Sequence, residues 1–305
     1  MVVESWRSFC RVSAIKLSIH DFARLYSRRD EDGESAYRIP RGYIREFQGD
    51  SPEERGIRET DASFRSTRIA ELETDVFKHK KRIADADRKL AIKVTKVAEN
   101  DKRVGANKLQ KAINDIVALK SPAPLSKDYR SYPRGYTIAI IRRDGSPLLV
   151  PARYQLLPPG KPQSMDRLDL FNARRDNLTG SFWRPLYGAS HAVIPAIRFF
   201  ESVKDAQGQS RELEFSPRDG STMFIACLYA EWVNPSDPQH IVPGVAAITD
   251  DPAPEVAAAG HDRTPINLTW EAALKWLSPE GRSDAELQAL LDERQRPYYE
   301  HREAA

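Results

Sequence analysis

Six apolar residues recur at intervals of seven along one stretch of the chain: Ile69, Val76, Ile83, Leu90, Val97 and Val104. No proline interrupts residues 53–119, which are dominated by charged residues and alanine. Leu72 and Ala86 fill some second seam positions, whereas His79 and Lys93 break that second row. A sustained seven-residue repeat argues for long helices that share a coiled-coil-like seam. A single helix of about fifty residues would extend roughly 75 Å at 1.5 Å per residue, far beyond a domain of this size. The expectation is therefore a bent arm or hairpin over residues 49–120, broken around Asn100 to Gly105. A second, short helix around Leu109, Ile113 and Ile116 is expected to follow the break.

The remainder, residues 1–48 and 121–305, reads differently. Ser18 begins an N-capped helix with Ile19, Phe22, Ala23 and Tyr26 on one face. After Ser121-Pro122-Ala123-Pro124 the text turns to strands. Tyr136 to Ile141 and Leu148 to Tyr154 flank Asp144-Gly145, a hairpin-turn pair. Ala192 to Phe200, Glu212 to Ser216, Met223 to Glu231 and Val245 to Thr249 continue the pattern, and helices start at Thr269 and Ser283. The fold class is α+β, a mainly antiparallel core with peripheral helices and one long helical insertion.

Composition narrows the function classes. Hydrophobic residues make up 40% of the 305 and charged residues 30%, enough to bury a core and stay in solution. No run approaches the roughly 18 apolar residues that span a bilayer, and the first residues lack the pattern of a secretory signal. A cytoplasmic, nucleoid-associated protein with no membrane partner is expected. The net charge of +3 does not by itself demand nucleic acid. Cys227 lies in an apolar run and reads as core, and two cysteines alone cannot build a four-ligand zinc site. Trp183, Trp232, Trp270 and Trp276 read as core or edge packing, and His191 and His240 as structural.

Three short blocks stand apart from these patterns. Asn172-Ala173-Arg174 is followed by Phe199-Phe200-Glu201 at the end of a strand, and then by His261-Asp262-Arg263-Thr264-Pro265. Nearer the start, Cys10-Arg11 precedes the first helix. In order and rough spacing the blocks resemble the SOS response-associated peptidase family from about Tyr132 to Trp276. That family begins Met-Cys-Gly-Arg. Here the glycine after Cys10 is missing, nine residues precede the cysteine, and Tyr132-Pro133 stands where the family carries Tyr-Asn-x-x-Pro.

The resemblance implies covalent capture of abasic sites in single-stranded DNA, with no metal or organic cofactor. An abasic sugar opens to an aldehyde, and a terminal amine with a pKa of about 8 is partly neutral at pH 7. A thiol on the same residue then closes a thiazolidine on the imine carbon, an intramolecular step. Cys10 gains such an amine only if residues 1–9 are removed, for example by its own attack on the Phe9 carbonyl. By the same resemblance Asn172 orients the nucleophile or the sugar, Glu201 serves as general acid or base, and His261 assists ring opening. Arg11 and Arg174 would clamp phosphates beside the lesion. The 49–120 arm is expected to mediate self-association or to recruit a protein partner. Two other readings stand beside this one: a single-stranded DNA-binding module without covalent chemistry, and a protease acting on other proteins.

Overall fold

The computed structural model describes residues 1–5, 15–26, 40–122, 125–205 and 207–304. They divide into two compact units, one of them built on Met1–Leu25 and Tyr129–Ala305 and the other including Ile44–Asp128. Among the described residues no helix is long and apolar enough to cross a membrane.

Among the described residues the first unit carries thirteen strands in one hydrogen-bonded system. In chain order they are β1 (Val2–Ser5), β2 (Lys16–Leu17), β3 (Arg130–Ser131), β4 (Tyr136–Arg143) and β5 (Ser146–Arg153). Then come β6 (Asn172–Arg174), β7 (His191–Lys204), β8 (Ser210–Pro217), β9 (Met223–Asn234) and β10 (Asp237–Asp250). The short β11 (Thr264–Pro265), β12 (Asn267–Leu268) and β13 (Tyr299–Glu303) complete the set. The expected hairpin is present: Asp144 and Gly145 have φ of 51° and 76°, the double positive φ that a tight two-residue turn requires.

Five strands close on themselves. β9 pairs with β10, β10 with β5, β5 with β4, β4 with β7, and β7 returns to β9. Closure removes exposed edges, and these strands are almost continuously apolar because both of their faces are buried. Val193, Ile194, Ile225, Ala226, Val245 and Ala246 are all fully buried. Strand β7 is longer than its place in the ring. Its first half, His191 to Ala196, pairs with β9; its second half pairs with β1 and β8 instead. Glu201 lies on that second half.

Three helices on the first unit start where side-chain caps dictate. Ser18 Oγ accepts from Asp21 N at the head of α1 (Ile19–Tyr26), which buries Phe22 and Leu25. The second unit holds α2 (Pro52–Ile92) and α3 (Lys96–Lys120). Back in the first unit, α4 (Pro254–Ala258) precedes α5 (Trp270–Trp276), capped by Thr269, and α6 (Asp284–Asp292), which begins with a Ser283–Glu286 capping box.

In the second unit α2 and α3 form an antiparallel hairpin joined by ion pairs Arg82–Asp101, Lys102–Asp87 and Lys120–Glu73. The break expected at Asn100 to Gly105 falls instead at Lys93–Thr95, and the second helix is a full 25 residues. Thr95 Oγ1 accepts from Ala98 N and fixes the new start. Restarting the helix there resets its phase. Val97 points to solvent, and Ala98, Gly105 and Ala112, again seven apart, take the buried positions.

Candidate functional site

Glu201 is the organising side chain. It is buried, on the stretch of β7 where Phe199 and Phe200 are also fully shielded. Phe199 stacks on Phe215 with ring centroids 5.0 Å apart, while the Arg130 guanidinium lies 4.0 Å over the Phe200 ring. Both faces of the strand are therefore covered, and Glu201, two residues on from Phe199, lies on the same face as that ring.

Two groups meet that carboxylate. His261 Nε2 lies 3.3 Å from Glu201 Oε2, and the backbone nitrogen of Met1, at the head of β1, lies 3.3 Å from the same oxygen. The register of β1 on β7, with Val2 opposite Phe200, aims the start of the strand at this point. His261 is brought there from α4 through Gly260. That glycine has φ of 95°, a conformation open to glycine and costly for other residues. His261 N then donates to Val256 O.

The imidazole is held at both nitrogens. In the protonated ring Nδ1 donates to Arg263 O at 3.0 Å while Nε2 faces Glu201. The pKa of His261 is raised, first by the hydrogen bond to Glu201 and further by that carboxylate's charge, against burial that lowers it. The shift favours the protonated imidazole beside a buried carboxylate, a pair with the means to give and to take a proton.

Asn172 enters on β6, paired in parallel with β10 opposite Ala247. The hydroxyl of Tyr154 donates to Asn172 Oδ1 at 3.3 Å. Tyr154 is fully buried, and its phenol is pushed well above its ordinary pKa by burial first, then by Cys227 and Glu201. It therefore stays a neutral donor between the Asn172 strand and the Glu201 strand. The turn after β6 is anchored by Arg175, which binds Asp250 and Asp292, with Arg294 on the same Asp250 carboxylate.

The other sequence candidates have different fates. Arg174 is exposed and holds Asp176 through two nitrogens at 2.8–3.2 Å, with Asp251 and Asp262 adding to the negative field around it. Cys10 and Arg11 lie outside the described residues. Cys227 is core, with its thiol pushed up by burial and donating to Ile225 O. Tyr154 and the head of β1 carried no sequence signal for this site. Tyr154 directly follows a strand, as many aromatics do, and residues 2–5 offer nothing to show which strand they join.

The family model described as SOS response associated peptidase (SRAP) matches residues 97–303. The chain belongs to the SRAP family. Among SRAP-like relatives, the abasic site processing protein YobE of Bacillus subtilis (strain 168) is 27% identical over 165 residues, covering 53% of this chain and 74% of its own. The abasic site processing protein YoqW of the same organism is 28% identical over 166 residues, covering 53% and 72%. A protein of known structure from Bordetella bronchiseptica is 18% identical with a TM-score of 0.48, covering 58% of this chain and 87% of that one. Membership of the SRAP family associates the chain with the SOS response and DNA damage.

Proposed function

We propose that this chain processes abasic sites in single-stranded DNA by capturing the opened sugar aldehyde against the Glu201–His261 pair. The observation that carries the reading is the sharing of one Glu201 oxygen between His261 Nε2 and the nitrogen at the head of β1, each at 3.3 Å. The names of the relatives, abasic site processing proteins, support the substrate class.

The chemistry follows from the roles of these groups. A neutral amine attacks the aldehyde carbon, protonated His261 gives a proton to the carbonyl oxygen, and Glu201 takes one proton from the new ammonium, leaving a carbinolamine. Glu201 then returns its proton to the hydroxyl, which departs as water, and the resulting iminium gives its N–H proton back to His261 to leave the imine. An imine acidifies the neighbouring sugar carbon, so removal of that proton, with departure of the 3′ phosphate, gives a lyase reaction. Asn172, steadied by Tyr154, orients the sugar. Arg174 takes a flanking phosphate when it exchanges Asp176 for the DNA.

Two nucleophiles fit this scheme. Where Met1 carries a free α-amine, the position at the head of β1 supplies nitrogen without a thiol, and capture ends at an imine. A second reading keeps Cys10 as the nucleophile, on the strength of the Cys10-Arg11 pair. Loss of residues 1–9, through peptidase action on the chain itself, would give it both amine and thiol and lead to a thiazolidine. This route costs more structurally, because it removes β1, whose Val3 and Glu4 are buried between β7 and β3. The residues after Cys10 would have to take that strand's place.

The test incubates the full chain with a single-stranded oligonucleotide bearing one abasic site, with and without borohydride. Intact mass and peptide mapping then locate the adduct. An adduct at the head of β1 that needs borohydride supports the imine. A borohydride-independent adduct on a chain starting at Cys10 supports the ring. Absence of any adduct under both conditions would leave a non-covalent DNA-binding protein.

A further inference from the structure

The helical hairpin carries an open apolar groove along the outer side of its seam. Val76 and Phe77 of α2 and Ile113, Ile116 and Val117 of α3 line it, enclosing about 410 Å³. Phe77 is 72% exposed and Val117 64%. Glu73 and Lys80 stand at the rim.

From the groove and the order of charges around it, we propose that two copies of this chain pair through the Phe77 face of α2. The helices would run antiparallel about a two-fold axis at that residue. With 3.6 residues per turn, Ala70, Glu73, Phe77, Lys81 and Ala84 fall on one face of α2, and Ala70, Glu73, Lys81 and Ala84 are all exposed. A two-fold axis at Phe77 sets Ala70 against Ala84 of the other copy and Glu73 against Lys81. Small residues meet small residues, and each carboxylate meets an ammonium. An isologous contact demands this self-complementarity of one surface, whereas a foreign partner would not require the acid before Phe77 and the base after it. Alanine on both sides lets the helices approach, so each Phe77 can enter the groove of the opposite copy. Glu73 also binds Lys120 across its own hairpin at 3.0 Å, which holds its carboxylate at the rim.

Sedimentation equilibrium on the full chain tests the pairing. A reversible monomer–dimer equilibrium is expected, weakened at least ten-fold in Phe77→Asp. Glu73→Lys and Lys81→Glu should each weaken it by a similar factor, since each sets like charges together at two places. Mixing those two variants should yield a one-to-one dimer that neither forms alone, because every contact is again between opposite charges. Far-UV circular dichroism checks that each variant remains helical. The proposal is overturned by a wild-type chain that stays monomeric at all concentrations, by a dimer indifferent to Phe77→Asp, or by mixed variants that do not associate.

Discussion

Nε2 of His261 stands 3.3 Å from Oε2 of Glu201, and this hydrogen bond is the main reason the pKa of the imidazole is raised. The ring thus stays protonated above about pH 6.5, the ordinary histidine value. The stability this pair contributes is fully present below that value and is lost as pH rises through the higher folded one. Glu201→Gln keeps the shape of the side chain and removes its charge. The His261 titration, read from ring resonances in NMR, should fall to 6.5 or below. Aldehyde capture should slow by roughly 100-fold, the usual worth of positioned acid–base catalysis. A His261 titration unchanged by the substitution would contradict the pairing.

Tyr154→Phe isolates the support of Asn172. The deleted hydroxyl donates over 3.3 Å, long for an O–H···O bond. The stability loss should therefore sit at the low end for hydrogen bonds, about 0.5 kcal/mol. Asn172 would lose its fixed orientation, so the effect on capture rate should exceed the effect on melting temperature. Equal, small effects on both would return Tyr154 to plain core packing.

His191 gives the fold a sensitivity to acid that is separate from the site. Its ring stacks on Trp276 with centroids 3.7 Å apart, Nδ1 donates to Trp276 O, and Nε2 accepts from Gly188 N. Burial lowers its pKa from 6.5 to about 4. The unfolded chain therefore takes up a proton that the folded one refuses, and stability falls as pH drops from 6.5 towards 4. At about 1.4 kcal/mol per pKa unit the loss is roughly 3 kcal/mol. Melting temperatures measured across this range should show the slope, and His191→Phe, which preserves the stacking, should flatten it.

Much of this architecture could be read from local pattern. The Asp144-Gly145 hairpin, the capped starts at Ser18, Thr269 and Ser283, and the apolar strands are set by residues adjacent in the chain. The same holds for the buried state of Cys227, Trp183 and Trp276. Ring closure of β7 on β9 could not be read, nor the parallel pairing of β6 with β10, because partners far apart in sequence leave no periodic trace in either strand. The three blocks single out Asn172, Glu201 and His261 as candidates by resemblance. They could not indicate that Val2–Ser5 is a core strand aimed at Glu201, since four residues of that composition fit any sheet position. The arm shows the complementary failure. The seven-residue period of the sequence runs on through Lys93–Thr95, but the three-residue break there shifts the phase of the helix and moves Val97 out of the seam.

Gly105 is the sharpest test of that corrected seam. It lies inside α3, where glycine costs about 1 kcal/mol relative to alanine, yet a Cβ there would lie only 3.0 Å from Ile83 Cγ1. The helices approach closely at this point because the residue has no side chain. In Gly105→Ala the propensity gain and the tight contact oppose each other, and Ile83 is half-buried and able to shift by a few tenths of an ångström. The net change should stay within about 0.5 kcal/mol of zero, the two terms being similar in size. Gly105→Leu demands space the seam does not have and should destabilise by about 1–3 kcal/mol, the usual cost of overpacking. Adding Ile83→Ala to the leucine variant should recover part of the loss by making room. Thermal melts followed at the helical dichroism band give all three values. A leucine variant that melts like the wild type would place Gly105 outside the seam and require a different packing of α2 on α3.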